Sequence, residues 1–343
     1  MSSGFVDACR RKSVERTPVW FMRQAGRYLP SYRKLRSEKG ILEIAKDPGL
    51  ASEVTVDPVR QLGVDAAVMF ADIMLPLEGI GVKFRIEENL GPVIENPIRT
   101  REDVEALGDF DPESHVPHVL GTISLAVEKL SGVPLVGFSG APFTLASYLI
   151  EGAPSREFHL TKKMMYTDPD TWRLLEARLT KLVVKYLRAQ VRSGVSAVQL
   201  FDSWVGCLGP SDYSAYVKRH TTEVFARVGS SVPTIHFCAN SSALVEEFAE
   251  TGCDVVSVDW RVPIETVWKR TGGRKAVQGN LEPAAAAAGG KVMERAVVDI
   301  MKRTAGRRGH VFNLGHGVLR DTPPENLKKV VEMVHKGTRR PGR

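Results

Sequence analysis

Eight short apolar runs recur along the chain, and each ends at a polar or glycine-rich turn. They are "PVWFMR", "AAVMFAD", "LVGFSG", "AVQLFDS", "TIHFCA", "VVSVDW", "AVQGNL" and "HVFNLGH". The stretches between them, such as "PDTWRLLEARLTKLVVKYLRAQVRSG", repeat apolar residues at steps of three and four and close with glycine, which is typical of helices. Apolar strands joined by helical crossovers form parallel sheets that are buried on both faces. Eight such units predict an α/β fold of the (β/α)8 TIM-barrel type.

A doubly wound open sheet is the runner-up architecture. No GxGxxG opens a helix after the first run and no GxxxxGK[ST] occurs, so nucleotide-binding signatures do not favour it. A barrel takes about 250 residues, so 343 residues require insertions. Residues 82–98 alternate apolar and polar around Asn89-Leu90-Gly91, which predicts a small β-hairpin. We expect one domain over residues 1–343, with flexible segments at 1–17 and 336–343.

The chain shows no sign of export or membrane insertion. Its beginning, "MSSGFVDACRRKSVER", has no apolar core of a signal peptide, and no later apolar run is long enough to cross a bilayer. The four cysteines are scattered without CxxC spacing, which argues against a disulfide framework or a four-thiolate zinc site. We therefore expect a soluble, cytoplasmic protein with reduced thiols.

The net charge of +7 is concentrated at the start of the chain, where the first forty residues carry ten Lys and Arg against three Asp and Glu. Several of these cations follow the first run directly: Arg23, Arg27, Arg33, Lys34 and Arg36. Polar residues at the carboxyl ends of barrel strands converge on one mouth. Guanidinium groups there would face a ligand with several carboxylates or phosphates.

Two long segments identify a family. The stretches "PVWFMRQAGRYLPSYR" and "GFSGAPFTLASYLIEG" closely resemble the signature segments of the uroporphyrinogen decarboxylases. The shorter stretches "FADIMLP", "LFDSWVGCLGP", "VDW", "QGNL" and "NLGHG" match in the same order. The resemblance extends from about Pro18 to Gly317, and that family also has a (β/α)8 fold.

The resemblance implies an activity. Members of the family remove carbon dioxide from the four acetate side chains of uroporphyrinogen III and give coproporphyrinogen III, a step of haem and related tetrapyrrole biosynthesis. It implies no metal and no organic cofactor, a homodimer, and neither nucleic acid nor membrane as a partner. The substrate has eight carboxylates, for which a cationic rim is suited.

The resemblance also assigns roles to residues. Asp72 would accept hydrogen bonds from pyrrole N–H groups and stabilise a cationic intermediate, although an Asp after a strand also suits a helix N-cap. Arg23 and Arg27 would bind substrate carboxylates, and Arg23 would supply or organise the proton. Tyr148 matches a catalytic-site tyrosine, but its spacing equally fits a core aromatic of an amphipathic helix.

Three further positions match residues that contact substrate. Ser203 would donate a hydrogen bond, or cap the next helix. His316 would contact substrate, or have a structural role between two glycines. The loops "QGN" and "LGHG" around the last two runs also suit a phosphorylated ligand. Arg36 matches a basic position of the family, or belongs to a solvated helix face.

Two hypotheses from different functional classes stay open. The pair His236 and Cys238 resembles the zinc ligands of thiol methyltransferases that share the fold, but a zinc site needs three or four convergent ligands. A basic protein that binds nucleic acid would need exposed aromatics among its cations. Trp20, Phe21 and Tyr28 adjoin the arginines, although burial in a strand explains Trp20 and Phe21 more simply.

Overall fold

The apolar runs form the strands of a barrel. The computed structural model describes residues 3–87, 90–240 and 242–339. The strands are β1 Ala67–Val68, β2 Phe84–Glu87, β3 Gly91–Ile94, β4 Leu135–Gly140, β5 Ala197–Phe201, β6 Thr234–Cys238, β7 Val255–Val258, β8 Ala276–Leu281 and β9 His310–Leu314. Within the described residues, seven of them form a parallel sheet in the order β1-β4-β5-β6-β7-β8-β9, and β2 pairs with β3 in an antiparallel hairpin.

The segment after Thr17 closes this sheet. Val19 forms a single parallel bridge with Phe312 of β9. The Phe312 N–H donates to the Pro18 carbonyl over 2.9 Å, and the Trp20 N–H donates to the Phe312 carbonyl over 3.2 Å. On the other side, the Asp65 N–H donates to the Val19 carbonyl over 2.8 Å. The (β/α)8 architecture is thus confirmed, although the first predicted strand is reduced to this bridge.

A chain of polar side chains crosses the interior of the barrel. The indole N–H of Trp20 donates to Gln278 Oε1, and Gln278 Nε2 donates both to Gln199 Oε1 and to Ser257 Oγ, each over 2.9 Å. All four side chains are buried. Because buried polar groups are costly unless they are hydrogen-bonded, these bonds hold the first segment, β5, β7 and β8 in one register.

The helices surround the sheet. They are α1 Gly4–Cys9, α2 Pro30–Glu38, α3 Ile41–Lys46, α4 Pro48–Leu62, α5 Leu75–Glu78, α6 Arg101–Glu105, α7 Pro112–His115, α8 Pro117–Leu130, α9 Pro142–Glu151, α10 His159–Thr167, α11 Pro169–Arg192, α12 Pro210–Tyr216, α13 Lys218–Val228, α14 Val245–Glu250, α15 Ile264–Arg270, α16 Pro283–Ala288, α17 Gly290–Thr304 and α18 Pro324–Thr338, with 3₁₀ turns at Val205–Cys207 and Ser242–Leu244. None of these helices, across the part of the chain that the structure describes, is both long and apolar enough to span a bilayer.

The longest helix shows how the sequence sets its own ends. The carboxylate of Asp168 accepts the N–H of Thr171 over 3.2 Å, and Pro169 occupies the first turn, where a missing N–H costs nothing. The apolar steps of three and four residues then bury Trp172 and Leu179, and the Trp172 ring packs against Phe143 of α9 at a centroid distance of 5.9 Å. Burial of each such side chain stabilises the fold by about 1.5–3 kcal/mol.

Both terminal segments for which we expected flexibility contain helical residues. Helix α1, within residues 1–17, is capped by Ser3, buries Phe5, Ala8 and Cys9, and contacts β8 and β9. At the other end, residues 336–338 belong to α18, and residues 340–343 lie outside the described residues. The predicted hairpin is present as β2 and β3, with residues 88–89 of its turn also outside the described part.

Asp65 ties the closing segment to the last helix. Its Oδ2 accepts the Val19 N–H over 2.8 Å and lies 2.6 Å from Nε2 of His335, while Oδ1 accepts from Arg16 over 3.1 Å. Burial by itself would raise the pKa of Asp65, but the bonds from His335, Val19 and Arg16 together hold it below its usual value. The carboxylate form therefore stabilises the seam of the barrel.

We expect Asp65→Asn to lower the free energy of unfolding by about 1–3 kcal/mol at neutral pH, because a mostly buried charged acceptor is lost. The folded-state pKa is depressed, so this stabilisation is complete above the ordinary value of about 3.9 and is lost as the pH falls through the folded-state value. Urea unfolding of both proteins at pH 7 and pH 3 measures the difference. Asp299→Asn, at an exposed pair with Arg303, is the control and should change stability by about 0.5 kcal/mol or less. An equal effect of Asp65→Asn at both pH values would contradict the role of the charge.

Candidate active site

Arg23 leaves the closing segment in a conformation that is unusual for a residue with a side chain. Its φ is +59°, in the left-handed region that L-residues rarely occupy. The buried Gln24 side chain holds this turn, because its Oε1 accepts the Phe21 N–H over 3.0 Å and its Nε2 donates to the Ala66 carbonyl over 3.1 Å. Strain that is fixed by its surroundings is common at functional sites.

The loop after β9 holds the same turn from the other side. Asn313 Oδ1 accepts the Met22 N–H over 3.1 Å, and the Val318 N–H donates to the Met22 carbonyl over 2.9 Å. Gly317 lies against the Arg23 side chain so closely that an added Cβ would sit 2.4 Å from Arg23 Cδ. The Arg23 side chain is thus directed over the carboxyl end of β9.

A single guanidinium acts on three of the predicted site residues. The positive charge of Arg23 opposes ionisation of the His316 imidazole and favours the anionic forms of Asp72 and Tyr148. Arg23 is thus close enough to each of the three residues for its charge to influence their pKa values. These residues come from separate parts of the chain.

Asp72 lies in the turn between β1 and α5. Its Oδ1 accepts the Met74 N–H over 2.9 Å, and its carbonyl accepts the Leu75 N–H over 3.2 Å. Asp72 therefore supports this turn without being the N-cap of α5, which is Met74. Burial raises the pKa of Asp72, while the Met74 N–H and Arg23 lower it. Oδ2 accepts no hydrogen bond from any described residue, so it is the oxygen available to a ligand.

Tyr148 lies on α9 and packs against another aromatic ring. Its ring centroid is 3.7 Å from that of Trp204, and the two ring planes are tilted by 34°. The Phe158 ring also packs against Trp204, with the ring centroids 4.9 Å apart. Burial, followed by the nearby Asp72 charge, raises the pKa of the Tyr148 phenol. Tyr148 is consequently a neutral hydroxyl that can donate a hydrogen bond.

His316 follows β9 and is held neutral. Burial, together with the positive charges of Arg23 and Arg261, lowers its pKa to about 4 against the opposing effect of Asp259. Its ring centroid lies 5.9 Å from that of Phe237 in β6. A neutral imidazole offers one donor and one acceptor to a ligand at this position.

Three further arginines of the cationic segment lie in or beside α2. Arg33 donates to the carbonyls of Arg27 and Tyr28, at 3.1 and 2.9 Å, and thereby stabilises the loop. Arg36 donates to the Lys39 carbonyl at the end of α2. Burial raises the pKa of Tyr32, and both Arg36 and Arg27 counteract it. Arg27 and Arg36 thus lie near one another beside Tyr32, and Arg36 has at least a structural role.

Ser203 lies in the turn that follows β5, between the buried Asp202 and the partly exposed Trp204. The Trp204 ring is the one that packs on Tyr148. Ser203 is therefore near the site through its neighbour.

His236 and Cys238 lie on the opposite side of their strand from the site. Side chains two residues apart share a face of a strand, and the residue between them, Phe237, is the one that contacts His316. The His236 ring instead lies 4.2 Å from the ring of Phe248 in α14. In the described ranges 3–87, 90–240 and 242–339, no group of three or more His, Cys, Asp or Glu side chains could hold a metal ion. The zinc hypothesis is not favoured.

Nucleic-acid binding and phosphate binding lose support as well. Trp20, Phe21 and Tyr28 are buried, so these aromatics cannot stack on nucleic-acid bases. At the end of β9, the Leu314 N–H donates to Asn313 Oδ1 over 2.8 Å, and in the following loop the Gly315 N–H donates to the Leu281 carbonyl over 2.7 Å. Two amides that a phosphate would need there already have partners.

Two residues near the site had no predicted role. Trp204 stood within the family segment "LFDSWVG", but its contact with Tyr148 depends on two segments that are distant in sequence. Arg261 directly follows the apolar run "VVSVDW", and this position after a predicted strand could have indicated a residue at the barrel mouth. Its guanidinium lies 4.1 Å above the Trp260 ring, and it pairs with Asp259 Oδ2 over 2.8 Å, so it adds a cation beside His316.

Comparisons with known proteins identify the family. A curated relative from Chloroflexus aurantiacus, named uroporphyrinogen decarboxylase, is 48% identical over 97% of this chain and 96% of its own length. A relative of the same name from Streptomyces coelicolor is 49% identical, over 98% and 95%. A solved methyltransferase from Methanosarcina mazei covers 96% of this chain and 97% of its own, with a TM-score of 0.79 but 19% identity, and so shows the fold alone. The family described as Uroporphyrinogen decarboxylase (URO-D) matches residues 2–337, and the chain belongs to this family.

Proposed function

We propose that this protein decarboxylates the four acetate side chains of uroporphyrinogen III and releases coproporphyrinogen III. The observation that carries the proposal is the cluster of Arg23, Asp72, Tyr148 and His316, in which one cation serves three polar groups at the barrel mouth. The names and high identity of the relatives support the substrate. The cluster accounts for the chemistry.

An acetate on a pyrrole has no adjacent carbonyl to accept the electrons that departing carbon dioxide leaves behind. The ring must accept them, and it can do so when a ring carbon is protonated. Breakage of the C–C bond then gives an exocyclic methylene, which takes up a proton to become a methyl group while the ring carbon returns its own. Each cycle releases one carbon dioxide and consumes one proton. The site must therefore stabilise a ring cation and orient one acetate at a time.

Asp72 supplies the anion. With Oδ1 bonded to the Met74 N–H, Oδ2 is available to accept pyrrole N–H groups, and its negative charge opposes the developing ring cation. Because Asp72 is desolvated, this attraction is stronger than it would be in water. Arg23 lowers the pKa of Asp72, which favours the carboxylate form that the chemistry needs.

Arg23 binds a substrate carboxylate and organises the proton. A guanidinium, with a pKa above about 12, is itself a poor acid, so we assign the proton to a water molecule that it holds. Tyr148 and neutral His316 donate hydrogen bonds, as does Ser203 from its turn. Arg27 and Arg36 hold peripheral carboxylates, and no metal or organic cofactor takes part.

The direct test is anaerobic incubation of chelator-treated protein with uroporphyrinogen III, followed by oxidation and separation of porphyrins by carboxylate number. We expect seven-, six-, five- and four-carboxylate products in sequence.

Asp72→Asn should lower kcat by about 10²–10³-fold, since it removes a preorganised charge from the reacting ring. The matched control Asp109→Asn loses the charge of an exposed carboxylate and should retain full activity. A folded Asp72→Asn protein with normal kcat would exclude Asp72 from the mechanism.

We expect Arg27→Ala to weaken substrate binding by about 10- to 100-fold, because a charge-assisted hydrogen bond contributes about 1.5–3 kcal/mol. Its thermal stability should change little. Fluorescence titration with coproporphyrin III, the oxidised form of the product, measures the affinity for the tetrapyrrole. Arg101→Ala, at an exposed pair with Glu105, is the control. Unchanged affinity in Arg27→Ala would assign that residue to the surface.

We also propose that the protein works in the cytoplasm as a homodimer. The support is its family membership, together with an exposed apolar side chain, Leu319, three residues after His316. Light scattering coupled to size-exclusion chromatography should give about twice the chain mass of 37.8 kDa. The monomer mass at micromolar concentration would contradict the proposal.

A further inference from the structure

A buried hydroxyl stands behind the wall of the site. Thr144 lies in α9, one helical turn before Tyr148, and its side chain is fully buried. Its Oγ1 donates to Asp202 Oδ1 over 3.0 Å and accepts the Trp204 N–H over 3.4 Å. One atom therefore joins the helix that carries Tyr148 to the turn that carries Trp204.

Asp202 is attached to β6 as well as to Thr144. Its N–H donates to the Phe237 carbonyl over 2.8 Å, and its own carbonyl accepts the Val205 N–H over 3.3 Å. Its Oδ2 lies 3.4 Å from His236 Nε2. The side chain is fully buried and has a partner at each oxygen, so these contacts restrict the movement of the turn.

The space behind Asp202 contains a second carboxyl group. Glu176 of α11 is buried, and neither of its oxygens has a hydrogen-bond partner within the described residues. Burial, reinforced by the nearby Asp202, raises its pKa well above the ordinary value. Burial and the nearby Asp202 thus both oppose a second negative charge in this part of the interior.

We propose that Thr144 and Asp202 are positioning residues of the active site. They fix the turn of Ser203 and Trp204, and the Trp204 ring, 3.7 Å from that of Tyr148, fixes the phenol in turn. This inference rests on the proposed function for its effect on turnover, but its structural claim can be tested without substrate. In this proposal His236 supports Asp202, at 3.4 Å from its Oδ2, and does not bind a metal.

The test compares Thr144→Val with Thr144→Ser. Valine keeps the shape but removes the hydroxyl, so Asp202 loses a donor and the Trp204 N–H loses its acceptor. Serine keeps the hydroxyl. Both variants and the parent protein are labelled with 5-fluorotryptophan, which gives one ¹⁹F resonance for each of the five tryptophans. Trp204→Phe assigns the resonance of Trp204.

We expect Thr144→Val to shift or broaden the Trp204 resonance and leave the other four in place. Its kcat/KM for uroporphyrinogen III should fall by about 10- to 100-fold, since a displacement of positioned groups by about 1 Å can lower a rate by about 100-fold. Thr144→Ser should restore both properties. An unmoved Trp204 resonance in Thr144→Val, or equal damage in Thr144→Ser, would overturn the proposal.

A second pair keeps the test decisive if Thr144→Val does not fold. Asp202→Asn retains one oxygen for the Thr144 hydroxyl, whereas Asp202→Ala retains none. The proposal requires the Trp204 resonance to move further in the alanine variant than in the asparagine variant, and the reverse order would contradict it. A parent protein with no decarboxylase activity would contradict the proposed function, while the ¹⁹F comparison would still decide the positioning of Trp204.

Discussion

The closure of the sheet by residues 18–20 is the constraint on which the rest of the molecule depends. The backbone of Phe312 forms one hydrogen bond with Pro18 and one with Trp20, and the Asp65 N–H donates to the Val19 carbonyl. These bonds join the first and last parts of the barrel. Arg23 follows this seam by three residues, and its turn is held by Gln24 on one side and Asn313 on the other. The position of the principal cation is therefore a property of barrel closure and not of a flexible loop.

From that position one charge organises three groups of different chemistry. Arg23 favours the carboxylate of Asp72, opposes protonation of His316 and lies near the phenol of Tyr148. Burial shifts all three pKa values toward the neutral forms of these groups, so the guanidinium reinforces burial at His316 and opposes it at Asp72. In the function proposed above, Asp72 serves as the anion and the neutral groups serve as hydrogen-bond donors, which is the combination that a developing cation and several carboxylates require.

The sequence predicted the order of the barrel units well, because buried parallel strands are nearly continuous apolar runs that end in recognisable turns. It predicted the two strands at the seam less well. Residues 66–72 form only the two-residue strand β1, and the Phe70 N–H then bonds to the Thr55 hydroxyl of a helix. Spacing alone could not identify Tyr148 as a site residue, and it was the family resemblance that did so. The left-handed backbone of Arg23 and the contact between Trp204 and Tyr148 arise from segments distant in sequence, so local patterns carry no signal for them.

The alternation of side chains along β6 has a consequence for protein engineering. His236 and Cys238 have the spacing of a metal-binding motif, but both point toward the helices because Phe237 occupies the inner face. A metal-binding motif in a barrel strand therefore indicates a site at the mouth only when its side chains lie on the inner face of that strand. To introduce a metal at this mouth, an engineer would leave His236 and Cys238 in place and substitute the inner-face pair Phe201 and Phe237, whose rings are 5.8 Å apart on adjacent strands.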